Sequence, residues 1–482
     1  MDKVINEIHR ASMEIAEKTG VKYHSADAQD ILRGHGIKVE DGVAYFTEDQ
    51  LMDWVKKAPS AFTWYARNPD HDVQIGKGIV NPAPGYGAPL IMDADGVKRK
   101  AMMEDYISMC RIVQNNPDLS INGGVIVQPD DIPSERSALL MFYAVYLTSD
   151  KCLMTGSGDK KQMYDLMEMA SIAFGGTEGL VKKPRILTIV NTNTPLQMDG
   201  RMTDTLQVFA EYGQPFAVTS GAMAGSTSPM TLAGTLAVAN AEVLSAIAFA
   251  QMIREGTPLL YATQCETADM RNAAAAIGSP EGALCYRFSA EMSRYYGLPC
   301  RGGGCITDAK KLDVQAGYES MMTCLAAMES KVDLMIHGCG IMDGYACMSY
   351  EKMMVDFEII RYAKRIAKGI PLGGEAIPME LIDEVGHGGQ YLLEEHTLEY
   401  CREEPCIPRL SARGSMEPTA LEDSIAQCLA EYSSPAPAAA VEPKIKSCLM
   451  DFMEQKGIER DILEKIDGWC GLGGSGRQGD DT

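Results

Sequence analysis

Between Thr257 and Tyr345 the chain runs three times from an apolar stretch into a polar or glycine-rich tip: TPLLYATQCETADMR, LPCRGGGCITDAK and VDLMIHGCGIMDGY. Segments of helical spacing follow, such as GSPEGALCYRFSAEMSRYYG and LDVQAGYESMMTCLAAMES. A short buried strand, a polar tip and a helix, repeated, is the pattern of a parallel α/β fold. Such folds place their chemistry at the carboxyl ends of the strands. The tip residues Gln264, Glu266, Asp269, Gly302, Gly303, Gly304, Asp308, His337 and Tyr345 are therefore expected to face one common pocket.

The alternation extends upstream. Strands are expected at 120–128, 151–155, 185–191, 215–220, 258–264, 299–303 and 334–338, with a weak eighth at 369–372. Single helices at 134–148, 161–173, 199–212, 229–254 and 350–368 separate them. Eight strands spaced in this way predict a closed (β/α)8 barrel over 80–378. No glycine-rich dinucleotide fingerprint follows the first strand, which disfavours an open Rossmann sheet. Residues 1–79 read as an N-terminal cap of two amphipathic helices and short strands. NPAPGYGAPLIMDADG reads as a proline- and glycine-rich hairpin with turn chemistry at DADG. Residues 379–470 read as a helical extension broken by a linker at Ser433–Pro443, and 471–482 as a flexible tail.

A formal charge of −22 over 482 residues disfavours nucleic-acid and anionic-membrane partners, which need basic surface. The N-terminal helix pattern lacks the apolar core of a secretion signal. The most apolar stretch, Thr231 to Ile253, is interrupted by Asn240, Glu242 and Gln251, so it reads as a buried helix. Fourteen cysteines without a CxxC pair, many inside apolar runs, fit buried thiols in a reducing cytoplasm. The length of that apolar helix leaves room for a homo-oligomer.

Several long blocks carry a resemblance: GYGAPLIMD, TLAGTLAVANAEVLSAIAFAQ, GSPEGAL, RYYGLPCRGGGCITDAKKLDVQAGYES, IHGCGIMDGYACMSYEKMMVDFEI and EVGHGGQYLLEEHTLEYCR. From about Ala83 to Arg409 the chain resembles the trimethylamine methyltransferase family. The resemblance implies a TIM barrel that moves a methyl group from an amine to the reduced cobalt of a corrinoid on a separate small protein. This chain would then bind no cofactor tightly itself. Only standard residues occur here, as in the branch that lacks pyrrolysine, whose characterised members demethylate glycine betaine, proline betaine, carnitine or γ-butyrobetaine. A quaternary ammonium already carries its charge and leaves as a neutral amine, so orienting it and excluding water are the main tasks.

A betaine joins a soft cation, best held over aromatic faces, to a carboxylate. Tyr86 and Tyr345, in glycine-rich loops, are aromatic candidates; Tyr261, in a strand, reads more as core. Glu266 and Gln264 are expected at a strand tip, beside the ammonium or capping the next helix with Thr267 and Asp269. Arg271 fits a carboxylate clamp, or a partner of Asp269 or Glu281. Arg301, Gly302, Gly303 and Gly304 would admit a planar corrinoid, or form a tight turn. His337 ends an apolar strand, where a neutral imidazole faces substrate or corrinoid, or serves the structure alone. Asn191 and Thr219, at strand ends, line the same pocket.

Two readings compete. His337-Gly338-Cys339 with Cys347 fits the start of a zinc thiol-methyltransferase site, although the surrounding block matches a family that needs no metal there. A relative that binds a methylated amine or a corrinoid protein without catalysis would keep the same fold.

Overall fold

The computed structural model describes residues 2–370, 372, 373, 376–433, 435 and 441–471. Short parallel strands alternate in it with long helices, and the fold is α/β. We label the strands β1 (Asn81–Pro82), β2 (Ile121–Gly123), β3 (Cys152–Met154), β4 (Ile186–Asn191), β5 (Phe216–Ser220), β6 (Leu259–Thr263), β7 (Arg301–Gly302) and β8 (Leu334–Met335). The helices that follow them in turn are Met103–Asn115, Ser137–Thr148, Lys160–Ala173, Gly200–Glu211, Leu232–Ile253, Pro280–Tyr295, Val314–Glu329 and Tyr350–Lys368.

Strands β2 to β6 pair in chain order, all parallel. A second parallel ladder joins β7 to β8 and β8 to β1. A parallel bridge between Tyr261 and Cys300 links β6 to the residue before β7. At the remaining junction, the Ser120 N–H donates to the Pro82 carbonyl at 3.0 Å, between β1 and β2.

The expected eighth strand at 369–372 is corrected by this arrangement. Gly369 caps the helix Tyr350–Lys368 with φ 68°, and Ile370 is 88% exposed. The missing strand is β1, at the head of the stretch read as a hairpin. A two-residue strand that contains a proline shows no alternation, and proline ordinarily argues against a strand. The hairpin itself lies further on, where Leu90–Met92 pairs with Lys98–Lys100 across the DADG turn.

Inward-facing residues of the strands form one cluster: Ala83, Ile121, Cys152, Met154, Leu187, Ile189, Ala217, Leu260, Leu334 and Ile336. Their neighbours Val190, Val218, Tyr261 and Met335 pack outward against the helices. The period of two is present, but both faces are apolar, so the sequence shows continuous runs.

The inner cluster is completed from the N-terminal segment. The antiparallel hairpin Phe62–Trp64 with Val73–Ile75 contributes Trp64, Ala66, Val73 and Ile75 to it. The Trp64 indole N–H donates to the Arg185 carbonyl at 3.1 Å, and the Tyr65 N–H to the Pro184 carbonyl at 2.8 Å. The Gly76 N–H donates to the Asp333 carboxylate at 2.7 Å. Pro184, Arg185 and Asp333 precede β4 and β8, so the hairpin covers the amino ends of the strands and leaves the carboxyl ends free.

The helix Leu232–Ile253 is long and apolar enough to cross a membrane, yet most of it is buried inside the protein. Its polar interruptions are all satisfied. Asn240 donates to Ser12 Oγ and to the Tyr296 hydroxyl, both at 2.9 Å, tying the N-terminal helix Asp2–Lys18 to it. Gln251 donates to the Thr257 carbonyl at 2.9 Å. Glu242 accepts from Thr192 Oγ1 at 2.5 Å, Ser220 Oγ at 2.8 Å and the Leu196 N–H at 2.7 Å. Beyond Leu196, Gln197–Met198 pairs in parallel with the N-terminal strand Val21–Tyr23.

Of the C-terminal segment, helices Met379–Val385, Glu395–Tyr400, Leu421–Ala430, Pro443–Gln455 and Arg460–Cys470 are described. The expected tail 471–482 lies outside the described residues except for Gly471, and so does most of the expected linker.

Trp64 is fully buried in the inner cluster. Trp64→Ala is expected to lower the unfolding free energy by about 3–5 kcal/mol, measured by urea denaturation followed by circular dichroism.

Candidate active site at the carboxyl ends of the strands

Gln264 follows β6 directly and points into the same interior as Leu260. Its amide donates to the Tyr286 hydroxyl at 2.7 Å and to the Tyr345 hydroxyl at 2.8 Å, and its carbonyl accepts from the Arg301 guanidinium. Arg301, on β7, is 3% exposed, and its Nε has no partner among the described residues. No carboxylate is paired with it among them either. Burial lowers its pKa, opposed by the hydroxyls of Tyr345 and Tyr286.

His337 lies two residues past β8 with φ 60°, and Tyr345 has φ 70°. Left-handed backbone at two bulky non-glycine residues is costly, and the surrounding contacts hold it. The His337 Nδ1 accepts from the Tyr86 N–H at 3.3 Å, and its ring lies 4.7 Å from that of Tyr345. Burial, then the Arg301 charge, pushes the His337 pKa well below the ordinary range. The ring is therefore neutral, with its proton on Nε2. Tyr86 packs against the inner cluster and donates its hydroxyl to the Thr155 carbonyl at 3.2 Å. Burial pushes its pKa up to about 12.

Glu266 begins a hairpin, Glu266–Asp269 with Ala274–Ala276, that also pairs in parallel with Met223–Ala224. Burial, reinforced by Asp308, pushes the Glu266 carboxyl up to about 7, and no hydrogen bond satisfies it among the described residues. Asp308 is itself raised, chiefly by burial, although it accepts from the Gly278 N–H at 2.9 Å. Thr219, on the inward face of β5 with Ala217, is 4% exposed, and its Oγ1 has no partner among the described residues. Asn191 ends β4 and is exposed.

Arg271 and the glycines take the structural alternatives open to them. No helix starts after Asp269; the next one begins at Pro280, capped by Ser279. Arg271 sits at the hairpin turn, its side chain 89% exposed and 2.6 Å from Asp269, the pairing that was the alternative to a carboxylate clamp. A Cβ on Gly302 would meet Val332 at 2.7 Å, on Gly303 the Tyr286 ring at 2.5 Å, and on Gly304 the His337 carbonyl at 2.7 Å. The protein itself takes up the space a side chain would need at each of these glycines, as the tight-turn alternative requires. Sequence reading missed Tyr286, which lies inside the helical block GSPEGALCYRFSAEMSRYYG without a polar flank to signal it.

Cys339 is buried, and burial pushes its thiol well above the ordinary range. Cys347 packs with Met92 and Met342 instead. Two cavities of about 500 and 490 Å³ lie among the outer helices, one lined by Met354, Glu358 and Arg409, the other by Leu284, Arg287 and Met322. Neither touches the strand tips. The site is marked by convergent polar groups with unfilled hydrogen-bonding capacity, a stronger signal than volume.

Parallel strands with an aromatic and polar cluster at their carboxyl ends define the class, an α/β protein with its site where α/β enzymes carry theirs. A family model described as Trimethylamine methyltransferase (MTTB) matches residues 1–459, and the chain belongs to that family. It is 38% identical to the glycine betaine methyltransferase of Desulfitobacterium hafniense over 94% of this chain and 96% of that one. The proline betaine:corrinoid methyltransferase of Eubacterium limosum is 28% identical over 87% of this chain and 88% of its own. A trimethylamine methyltransferase of Desulfitobacterium hafniense is 28% identical over 83% of this chain and 81% of its own.

His337 is held neutral in the folded state, while an unfolded histidine takes up a proton below about pH 6.5. Its folded pKa is depressed, so its contribution to stability is complete above about 6.5 and is lost as pH falls below that value. His337→Gln is expected to flatten this part of the stability–pH curve below about pH 6.5, read from denaturation midpoints.

Proposed function

We propose that this protein transfers a methyl group from a carboxylated quaternary amine to the corrinoid of a separate carrier protein. When presented by that carrier, reduced cobalt supplies the electron pair that takes up the methyl group. The quaternary nitrogen keeps the electrons of its broken N–C bond and leaves as a neutral tertiary amine. The relatives named for glycine betaine and proline betaine support the reading, and their reactions need a substrate site that joins an anion binder to a cation binder.

The observation that carries the proposal is Arg301, a buried guanidinium with an unfilled Nε and no carboxylate of its own. It is poised for the carboxylate of a zwitterion, a role sequence reading gave to Arg271. Thr219 Oγ1 adds a second unfilled group on the same interior. Gln264 fixes the guanidinium plane, and the neutral His337 leaves the positive charge at the site to Arg301. Tyr86 and Tyr345 offer faces to the trimethylammonium, with Glu266 and Asn191 towards the opening. We further infer that the strand pairings close into a (β/α)8 barrel over 80–378, with 1–79 as a cap on its amino end and 379–470 as an appended extension. Gly302, Gly303 and Gly304 are given no part in corrinoid contact.

With the corrinoid carrier present, glycine betaine or proline betaine is expected to turn over and trimethylamine not, because a tertiary amine needs activation before it can leave. Equal rates on trimethylamine would overturn the proposal. Arg301→Gln should raise the KM for a carboxylated betaine by about 10- to 100-fold, the worth of one charge-assisted hydrogen bond. Binding of choline, which lacks the carboxylate, should barely change.

Glu266 gains its charge as pH rises through about 7. Affinity for the cation should therefore increase between about pH 6 and 8, and Glu266→Gln should remove that slope in calorimetric titrations. An unchanged slope in the variant would withdraw Glu266 from the site.

A further inference from the structure

Two charged side chains are sealed behind the strand tips, in the first turns of the helix Tyr350–Lys368. Lys352 pairs there with Asp356, four residues on, and both side chains are 0% exposed. Each also reaches a loop that carries the site. Lys352 Nζ donates to the Cys305 carbonyl at 3.4 Å, in the turn that follows Arg301 and the three glycines. The second Asp356 oxygen accepts from the Gly340 N–H at 2.8 Å, in the loop after β8. Burial pushes the Asp356 carboxyl up to about 6, while Lys352, the Gly340 N–H and the Cys305 thiol draw it down.

Stability alone does not explain such a pair. Taking two charges out of water can cost more than their attraction returns, and apolar residues of similar volume often serve as well. What the pair supplies is a directed tie. The loop from His337 to Gly340 needs one, because His337 holds a left-handed backbone, φ 60°, that a bulky residue adopts only under constraint. On the β1 side the backbone holds this loop. The Gly338 N–H donates to the Ala83 carbonyl at 2.8 Å, and the Gly85 N–H to the Cys339 carbonyl at 3.0 Å. On the helix side Asp356 takes the Gly340 N–H, and the Gly340 carbonyl accepts from the Ser349 N–H at 2.9 Å. The turn after β7 packs against the same loop, since a Cβ on Gly304 would lie 2.8 Å from the Gly338 backbone.

We infer that Lys352 and Asp356 are positioning residues, which tie the loop after β7 to the loop after β8 and so set where the His337 ring stands in the site. His337 in turn accepts the Tyr86 N–H on Nδ1 and lies against the ring of Tyr345. Those two tyrosines face the trimethylammonium in the proposed function, on which this link rests. Arg301 is held separately, by Gln264. Loosening the pair therefore misdirects the N–methyl bond while the carboxylate stays bound, a fault of orientation more than of affinity.

Two double variants separate position from stability. The first, Lys352→Met with Asp356→Leu, removes the charges and both ties. The second, Lys352→Met with Asp356→Asn, removes the charges but keeps an acceptor for the Gly340 N–H. The first should unfold at a urea midpoint no lower than that of the parent. With glycine betaine and the corrinoid carrier, it should lose about 10- to 100-fold in kcat, and its calorimetric dissociation constant should change by less than about threefold. The second should recover most of the rate. Histidine-selective nitrogen labelling gives a reading that needs no substrate. The His337 ring signals, assigned with His337→Gln, should move in the first variant and stay near the parent's in the second. Parental kcat or parental His337 signals in the first variant would overturn the inference. So would a loss lying wholly in the dissociation constant, a rate that the second variant does not restore, or a first variant that fails to fold. A parent that demethylates no carboxylated betaine would count against the proposed function alone, and the His337 signals would still decide the tie.

Discussion

The side chain of Gln264 is the hinge of the site. A glutamine amide has a donor end and an acceptor end, and both are used here, towards two tyrosines and one arginine. That division brings together β6, β7, the helix Pro280–Tyr295 and the loop after β8, elements that share no sequence neighbourhood. Arg301 thereby keeps a fixed plane in a buried setting where an unanchored guanidinium would be costly. The hydroxyls of Tyr286 and Tyr345 gain a partner in the same contact. An apolar residue at 264 would break each of these links, and a glutamate would neutralise the buried guanidinium of Arg301.

The two ends of the strands are treated in opposite ways. At the amino end, tryptophan and aliphatic side chains from the N-terminal hairpin fill the interior, and backbone hydrogen bonds fasten that hairpin down. At the carboxyl end the fillers are polar, and several of their atoms lack partners. A stable core and a reactive surface are thus separated along one axis, a few residues apart on the same strands. Leu260 and Gln264 illustrate this, both on the inward face at the end of one short segment.

Much of this could be read from the chain, for a definite reason. Parallel strands buried on both faces leave runs such as ILTIVN and LLYAT that stand out against polar tips, so β4, β5 and β6 were placed within a residue or two. β1 was not, because two residues containing a proline carry no periodicity. The tips Gln264, His337 and Tyr345 were legible as chemistry that interrupts an apolar run. The segment around Arg271 has the composition of a helix start, whereas pairing with Met223–Ala224 and Ala274–Ala276 draws Glu266–Asp269 into a hairpin. Arg301 was noticed, but for the glycines after it. Its worth as an anion holder depends on what is absent around it, and only three-dimensional packing shows that.

Asn191 closes β4 and opens a loop that Glu242 grips through Thr192, Ser220 and the Leu196 backbone, and that loop continues into Gln197–Met198, the partner of Val21–Tyr23. The first two dozen residues are therefore mechanically in series with the loop at the carboxyl end of β4. Tension or slack introduced near the start of the polypeptide, by a bulky tag or a trimmed helix, would be transmitted along one hydrogen-bonded strand to the carboxyl end of β4. The N-terminus behaves less as a lid than as an anchor cable.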